Sequence, residues 1–183
     1  MKKNLKLATI ILMIFVESIS AQHSENFKRV TANFKPSDTT LINTKHKNGN
    51  KKEFGFYYTY TSDNYKYERS AGKHTRYYYS GGIMTESYYD NFGILLKWKH
   101  YNSFGVLMEE IQTLSIDTNE KDLDTFLNSD KSYDIIILEK KYEFSPKICG
   151  WFLFKEGKRK NGKKIGKWIK YDPYGDIKKI KEH

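Results

Sequence analysis

A five-residue pattern returns along the chain and restricts what it can fold into more than any other feature. It reads Tyr89-Asp90-Asn91-Phe92-Gly93, Tyr101-Asn102-Ser103-Phe104-Gly105 and Tyr171-Asp172-Pro173-Tyr174-Gly175. Each copy is Tyr, Asp or Asn, any residue, an aromatic, then Gly. This is the chemistry of a type I turn closing a β-hairpin: the carboxylate or amide bonds the backbone ahead of it, and glycine takes the positive φ that ends the turn. Tyr78-Tyr79-Ser80-Gly81-Gly82 and Tyr60-Thr61-Ser62-Asp63-Asn64 are looser copies, with Asn64 standing for glycine. Tyr89, Asp90, Gly93, Tyr101, Asn102, Gly105, Tyr171, Asp172 and Gly175 are therefore read as structural turn residues.

Between the turns, 83–89 and 94–101 are rich in aromatic and aliphatic residues with polar ones interleaved, which predicts strands. Leu96 and Trp98 share one face, and Lys97 and Lys99 the other. Short turns joining such strands predict an antiparallel meander.

A second element opens with Asn-Gly, the dipeptide suited to a tight hairpin. It occurs as Lys47-Asn48-Gly49 and again as Lys160-Asn161-Gly162. The later copy runs into the turn pattern as Asn161-Gly162-Lys163-Lys164-Ile165-Gly166-Lys167-Trp168, then Tyr171 and Gly175. This order resembles the bacterial variant of the MORN repeat, an antitoxin-like hairpin-repeat family. The resemblance covers 47–66, 77–113 and 158–180. It implies hairpins stacked into an extended twisted sheet, and it bears on fold more than on activity.

The expected fold is thus mainly β, an antiparallel meander of stacked hairpins, with a short helical insertion around residues 118–128. Asp117 or Thr118 is the expected helix cap, with acids in the first turn. The whole stretch 114–150 reads as an insertion between repeats; Tyr133 to Leu138 is a strand candidate and Pro146 a break. Residues 22–45 carry no periodicity and are expected to be a loosely ordered N-terminal arm, leaving 46–183 as a single repeat domain.

Lys2, Lys3 and Lys6 precede an apolar run from Leu7 to Val16, followed by Ser18-Ile19-Ser20-Ala21. This three-part layout predicts a signal peptide over residues 1–21, cleaved after Ala21. The run is far below the ~20 residues that span a bilayer, so no transmembrane span is expected in the mature chain. The expected location is periplasmic, outer-surface or secreted. Cys149 is the one cysteine. Beside Ile148 and Trp151 it reads as a small buried apolar side chain.

Charge is uneven. The net charge is +10 over 183 residues. Residues 155–183 hold eleven Lys or Arg against four acids, whereas 109–134 hold eight acids against two lysines. Lys158, Arg159, Lys160, Lys163, Lys164 and Lys167, with Trp168 and Tyr171 as aromatic contacts, form the candidate binding surface.

No nucleophile elbow, zinc-protease helix, phosphate-binding glycine loop or Cys-x-x-Cys occurs, and the histidines are scattered, so an enzyme, a cofactor and a metal are not expected. The leading expectation is a non-catalytic protein-interaction module of the cell envelope, with an unknown protein partner. The alternative is a binder of anionic envelope polymer or lipid through the basic C-terminal repeat. An extracytoplasmic antitoxin or immunity-type protein ranks below both. Export argues against nucleic acid.

Overall fold

A computed structural model describes residues 23–62, 65–129 and 132–183. The expected signal peptide lies outside the described residues, as does the tip of the turn copy ending at Asn64. Ten strands form one antiparallel sheet in sequence order. They are β1 (Asp38–Lys45), β2 (Lys51–Ser62), β3 (Tyr65–Tyr77), β4 (Ile83–Tyr89), β5 (Leu95–Tyr101), β6 (Leu107–Asp117), β7 (Asp134–Ser145), β8 (Gly150–Lys160), β9 (Lys163–Tyr171) and β10 (Ile177–Glu182). Two short helices, α1 (Glu25–Thr31) and α2 (Leu123–Asn128), complete the described fold. No helix among the described residues is long and apolar enough to cross a membrane.

The three full turn copies have one geometry. Asp90 Oδ1 accepts from the N–H of Phe92 and of Ile94, both at 2.8 Å. Asn102 Oδ1 accepts from Phe104 and Val106, both at 3.0 Å. Asp172 Oδ1 accepts from Tyr174 at 2.9 Å and Asp176 at 3.0 Å. One side-chain oxygen thus satisfies two turn donors that no strand neighbour could reach. The closing glycines have φ of +82°, +78° and +93° at Gly93, Gly105 and Gly175, the left-handed region that only glycine enters without cost. In the looser copy the glycine at positive φ is Gly81, at +95°, and not Gly82. That sets the three successive glycines Gly81, Gly93 and Gly105 at even intervals.

The tyrosine of the pattern reaches back to the preceding strand. Tyr101 donates to Glu86 at 3.0 Å and Tyr171 to Glu156 at 2.6 Å. In the matching place Tyr89 meets the His74 ring edge-on at 5.3 Å.

Residues 23–45 form a helix and an edge strand rather than a loose arm. Ser24 caps α1 by accepting from Phe27 N–H at 3.1 Å. Phe27, 1 % exposed, packs with Val30, Ile94, Ile116 and Phe126 in a buried apolar cluster. α1 carries only two core residues, Phe27 and Val30, too few to give a periodic signal, and tertiary packing holds it. β1 is an edge strand exposed along nearly its whole length, so it shows no alternation either.

The departure from the meander is shorter than expected. β6 runs to Asp117 and pairs Asp117 with Asp134, leaving only 118–133 between strands. α2 is capped by Asp122, which accepts from Thr125 N–H at 2.9 Å. Asp117 and Thr118 have other tasks: Asp117 accepts from the Ser24 hydroxyl and from Thr118 N–H, and Thr118 Oγ1 from Glu120 N–H. Pro146 begins the tip between β7 and β8. There the chain reverses, and Cys149, expected to be a small buried apolar side chain, is exposed at the tip with φ +46°.

With one sheet and two short helices, most of the sheet covers itself. Two strand glycines make this possible. The Trp168 indole lies on Gly157, where an added Cβ would sit 2.3 Å from the ring. His74 lies on Gly55 in the same way, at 2.5 Å. We expect Gly157→Ala to cost about 1–3 kcal/mol through overpacking against a ring with nowhere to go. Urea unfolding checks this, and Gly82→Ala, which meets no close neighbour and lies outside the positive-φ set, should leave the midpoint unchanged.

Candidate functional site

In-register pairing lines up side chains across the strands, and the rungs can be read for charge. One rung crosses β4 to β8 as Glu86, Lys99, Glu110, Lys140 and Glu156. Its signs alternate, so every charge faces opposite charges on the neighbouring strands. Opposite pairs stabilise antiparallel sheets and like pairs do the reverse.

The adjoining rung projects from the opposite face of the sheet, and its regularity fails at one end. It runs Thr44, Glu53, Arg76, Thr85, His100, Glu109, Lys141, Lys155, Lys170 and Lys179, from β1 to β10. Arg76 pairs with Glu53 at 3.1 Å, and Lys141 with Glu109 at 3.2 Å. Past Lys141 the rung holds only lysines. Lys155, Lys170 and Lys179 have no carboxylate within ion-pair distance among the described residues.

These three share a face with Trp168, two residues before Lys170 and directly opposite Lys181. Trp168 is 3 % exposed, and its Nε1–H donates to the Lys158 carbonyl at 3.0 Å. One ring face lies on Gly157. Three cations crowd the rest of the indole: Lys155 Nζ at 4.7 Å, Lys164 Nζ at 4.8 Å and the Arg159 guanidinium at 5.2 Å from the ring centre. Lys170 Nζ sits 4.9 Å from the Phe154 ring centre. Together Lys155, Lys164, Lys170, Lys179, Lys181 and His183 line a cleft of about 240 Å³ over Trp168. No acid lines it.

The electrostatic consequence falls on Lys155. Desolvation, then the ammonium groups of Lys164 and Lys170, hold its pKa below the ordinary lysine value, against a smaller opposing pull from Glu139. His183 is lowered for the same reasons: desolvation first, then Lys181, Lys164 and Lys155. Cation–π contact offsets part of this repulsion for Lys155, Lys164 and Lys170. Among the described residues, Lys179 and Lys181 have no such contact.

No protein-family model, curated protein or solved structure matches this chain.

Of the surface expected from the sequence, the structure gathers Lys164 and Trp168 into the cleft. Arg159 touches the indole, but its Nε is bound to Glu139 Oε2 at 2.6 Å and its Nη1 to the Gly162 carbonyl at 2.9 Å. Lys160 pairs with Asp134 at 3.0 Å. Lys160 and Lys163 border a separate cleft with Tyr133, Ile135, Asn161 and Ile165. Lys167 and Tyr171 alternate with Trp168 and Lys170 and so belong to the opposite face, where Tyr171 binds Glu156. Lys155, Lys170, Lys179, Lys181 and His183 were missed because they are scattered in sequence; the register of three strands brings them together. Among the described residues, no group of three or more His, Cys, Asp or Glu could hold a metal ion.

If like-charge crowding strains this face, Lys170→Gln should stabilise the fold by about 0.2–1 kcal/mol at low ionic strength. Added salt should erase the gain by screening. Urea unfolding at two salt concentrations reads both; a destabilised variant would show that the lysines hold the sheet together.

Proposed function

We propose that this chain is an exported, non-catalytic binding module of the MORN-like kind, whose β8–β10 face holds an anionic partner in the cell envelope. The observation that carries the reading is the run of unpaired lysines at the end of an otherwise compensated charge rung. A sheet selected for stability alone would place acids at some of these positions, as it does in the adjoining rung. The cost is small, and an anion removes it.

The arrangement suits binding more than catalysis. Lysines in a shallow cleft over a buried indole supply field and positive point charges. They bring no nucleophile with a paired base, and no third group orients one.

A second reading, the protein-interaction module, is supported by the edge of the sheet. Every residue of β10 is exposed, and its outer row of backbone groups can pair with an added strand. An anionic segment of a protein could use both features, which makes the two readings neighbours.

The test is retention of the purified mature protein on immobilised dextran sulfate across a salt gradient. The triple variant Lys155→Gln, Lys170→Gln, Lys179→Gln should elute at much lower salt than the parent. A triple variant at Lys158, Lys163 and Lys167 should elute close to it. Equal loss in both variants would mean that net charge, and not this face, accounts for binding.

A further inference from the structure

We infer that the ligand of this face is a linear chain of phosphate groups, lying across β8, β9 and β10 in a trough floored by Trp168. The inference rests on the anionic-partner reading above and adds the shape and chemistry of that partner. Lys155, Lys170 and Lys179 stand on three adjacent strands in direct register, so their stems are about 4.8 Å apart and the row spans roughly 10 Å. Lys181 stands level with Trp168 on β10, Lys164 lies beyond Trp168 along β9, and His183 lines the same cleft. The cations therefore border an elongated trough that runs perpendicular to the strands.

The two ends of the trough differ. Toward β7 it meets Lys141, already bound to Glu109 at 3.2 Å and near Glu139 at 3.5 Å, so a carboxylate barrier stops an anion there. Toward β10 the sheet ends with Lys181 in the Trp168 rung, and no Asp or Glu side chain lines the cleft there. A chain can thus enter over the β10 edge, lay successive charges against three strands, and continue into solvent behind.

The side chains choose the chemistry. Lysine is a compact point charge without arginine's planar fork, and it suits an anion whose oxygens present charge in every direction. Lysine stems about 4.8 Å apart also call for charge at close intervals along the ligand. A phosphate chain supplies that density, whereas a polyuronate carries one charge per sugar ring. A single phosphate or sulfate could contact only part of the row.

Calorimetric titration with orthophosphate, pyrophosphate and tripolyphosphate at fixed ionic strength tests this. We expect tripolyphosphate to bind roughly tenfold or more tighter than orthophosphate. Lys155→Gln, Lys170→Gln and Lys179→Gln should each flatten the dependence on chain length, while Lys163→Gln should preserve it. Longer polyphosphate and a poly(glycerol phosphate) then separate an inorganic from a phosphodiester source, the tighter binder naming the source. Orthophosphate binding as tightly as tripolyphosphate would overturn the linear ligand. A polyuronate oligomer of equal charge, or phosphatidylglycerol vesicles, binding more tightly than any phosphate chain would overturn the chemistry. Either result leaves the anionic-partner reading standing; failure of every anion, dextran sulfate included, removes both.

Discussion

Strand register is the constraint on which the rest of this molecule depends. A single layer of ten strands has little second layer to hide under, and the buried apolar cluster among the described residues belongs to α1, α2 and the residues beneath them. Elsewhere a strand side chain finds cover chiefly among its cross-strand neighbours, so what a residue contributes is decided by who stands opposite it. Trp168 on Gly157 and His74 on Gly55 show this in its tightest form, since a ring lies flat only where the facing residue has no side chain. A slip of one residue would exchange the faces and lose both seats.

The turn pattern fixes that register, and the same five residues serve two purposes. At the end of the sheet closed by the helices, the aromatic of the pattern is Phe92, whose ring meets Phe27 edge-on at 5.5 Å. At the opposite end its counterparts Phe104 and Tyr174 are 89 % and 72 % exposed. The backbone geometry is common to all three turns. Only the presence of α1 and α2 decides whether the ring is core or surface, and hence whether the repeat contributes stability there or leaves an apolar tip in water.

This distinction explains how far the sequence could be read. Asp90, Asn102 and Asp172 announce their turns because an Asx side chain and a glycine at fixed spacing have a local physical meaning. The strands from Ile83 to Tyr101 follow from the turns that bound them, and Pro146 ends β7 for reasons internal to proline. α1 could not be read this way, because seven residues with two apolar anchors become a helix only against Ile94, Ile116 and Phe126. Asp122 takes the cap expected of Asp117 or Thr118 because β6 extends to Asp117 and uses its carboxylate to hold Ser24. The basic site shows the same limit. A contiguous run from Lys158 to Lys167 catches the eye, yet alternation sends its members to both faces, and the row that matters joins residues fifteen and nine positions apart.

Charge placement carries the functional account. Charge alternates across five strands from Glu86 to Glu156, whereas Lys155, Lys170 and Lys179 stand three in a row over Trp168 with no carboxylate between them. The most direct measurement is an NMR titration of the lysine side chains, with Lys155 assigned through Lys155→Gln. The account predicts that Lys155 titrates below the ordinary lysine range in the free protein and moves upward when tripolyphosphate is added, because the bound anion favours the charged ammonium. A Lys155 that titrates like an exposed lysine and ignores the anion would contradict it.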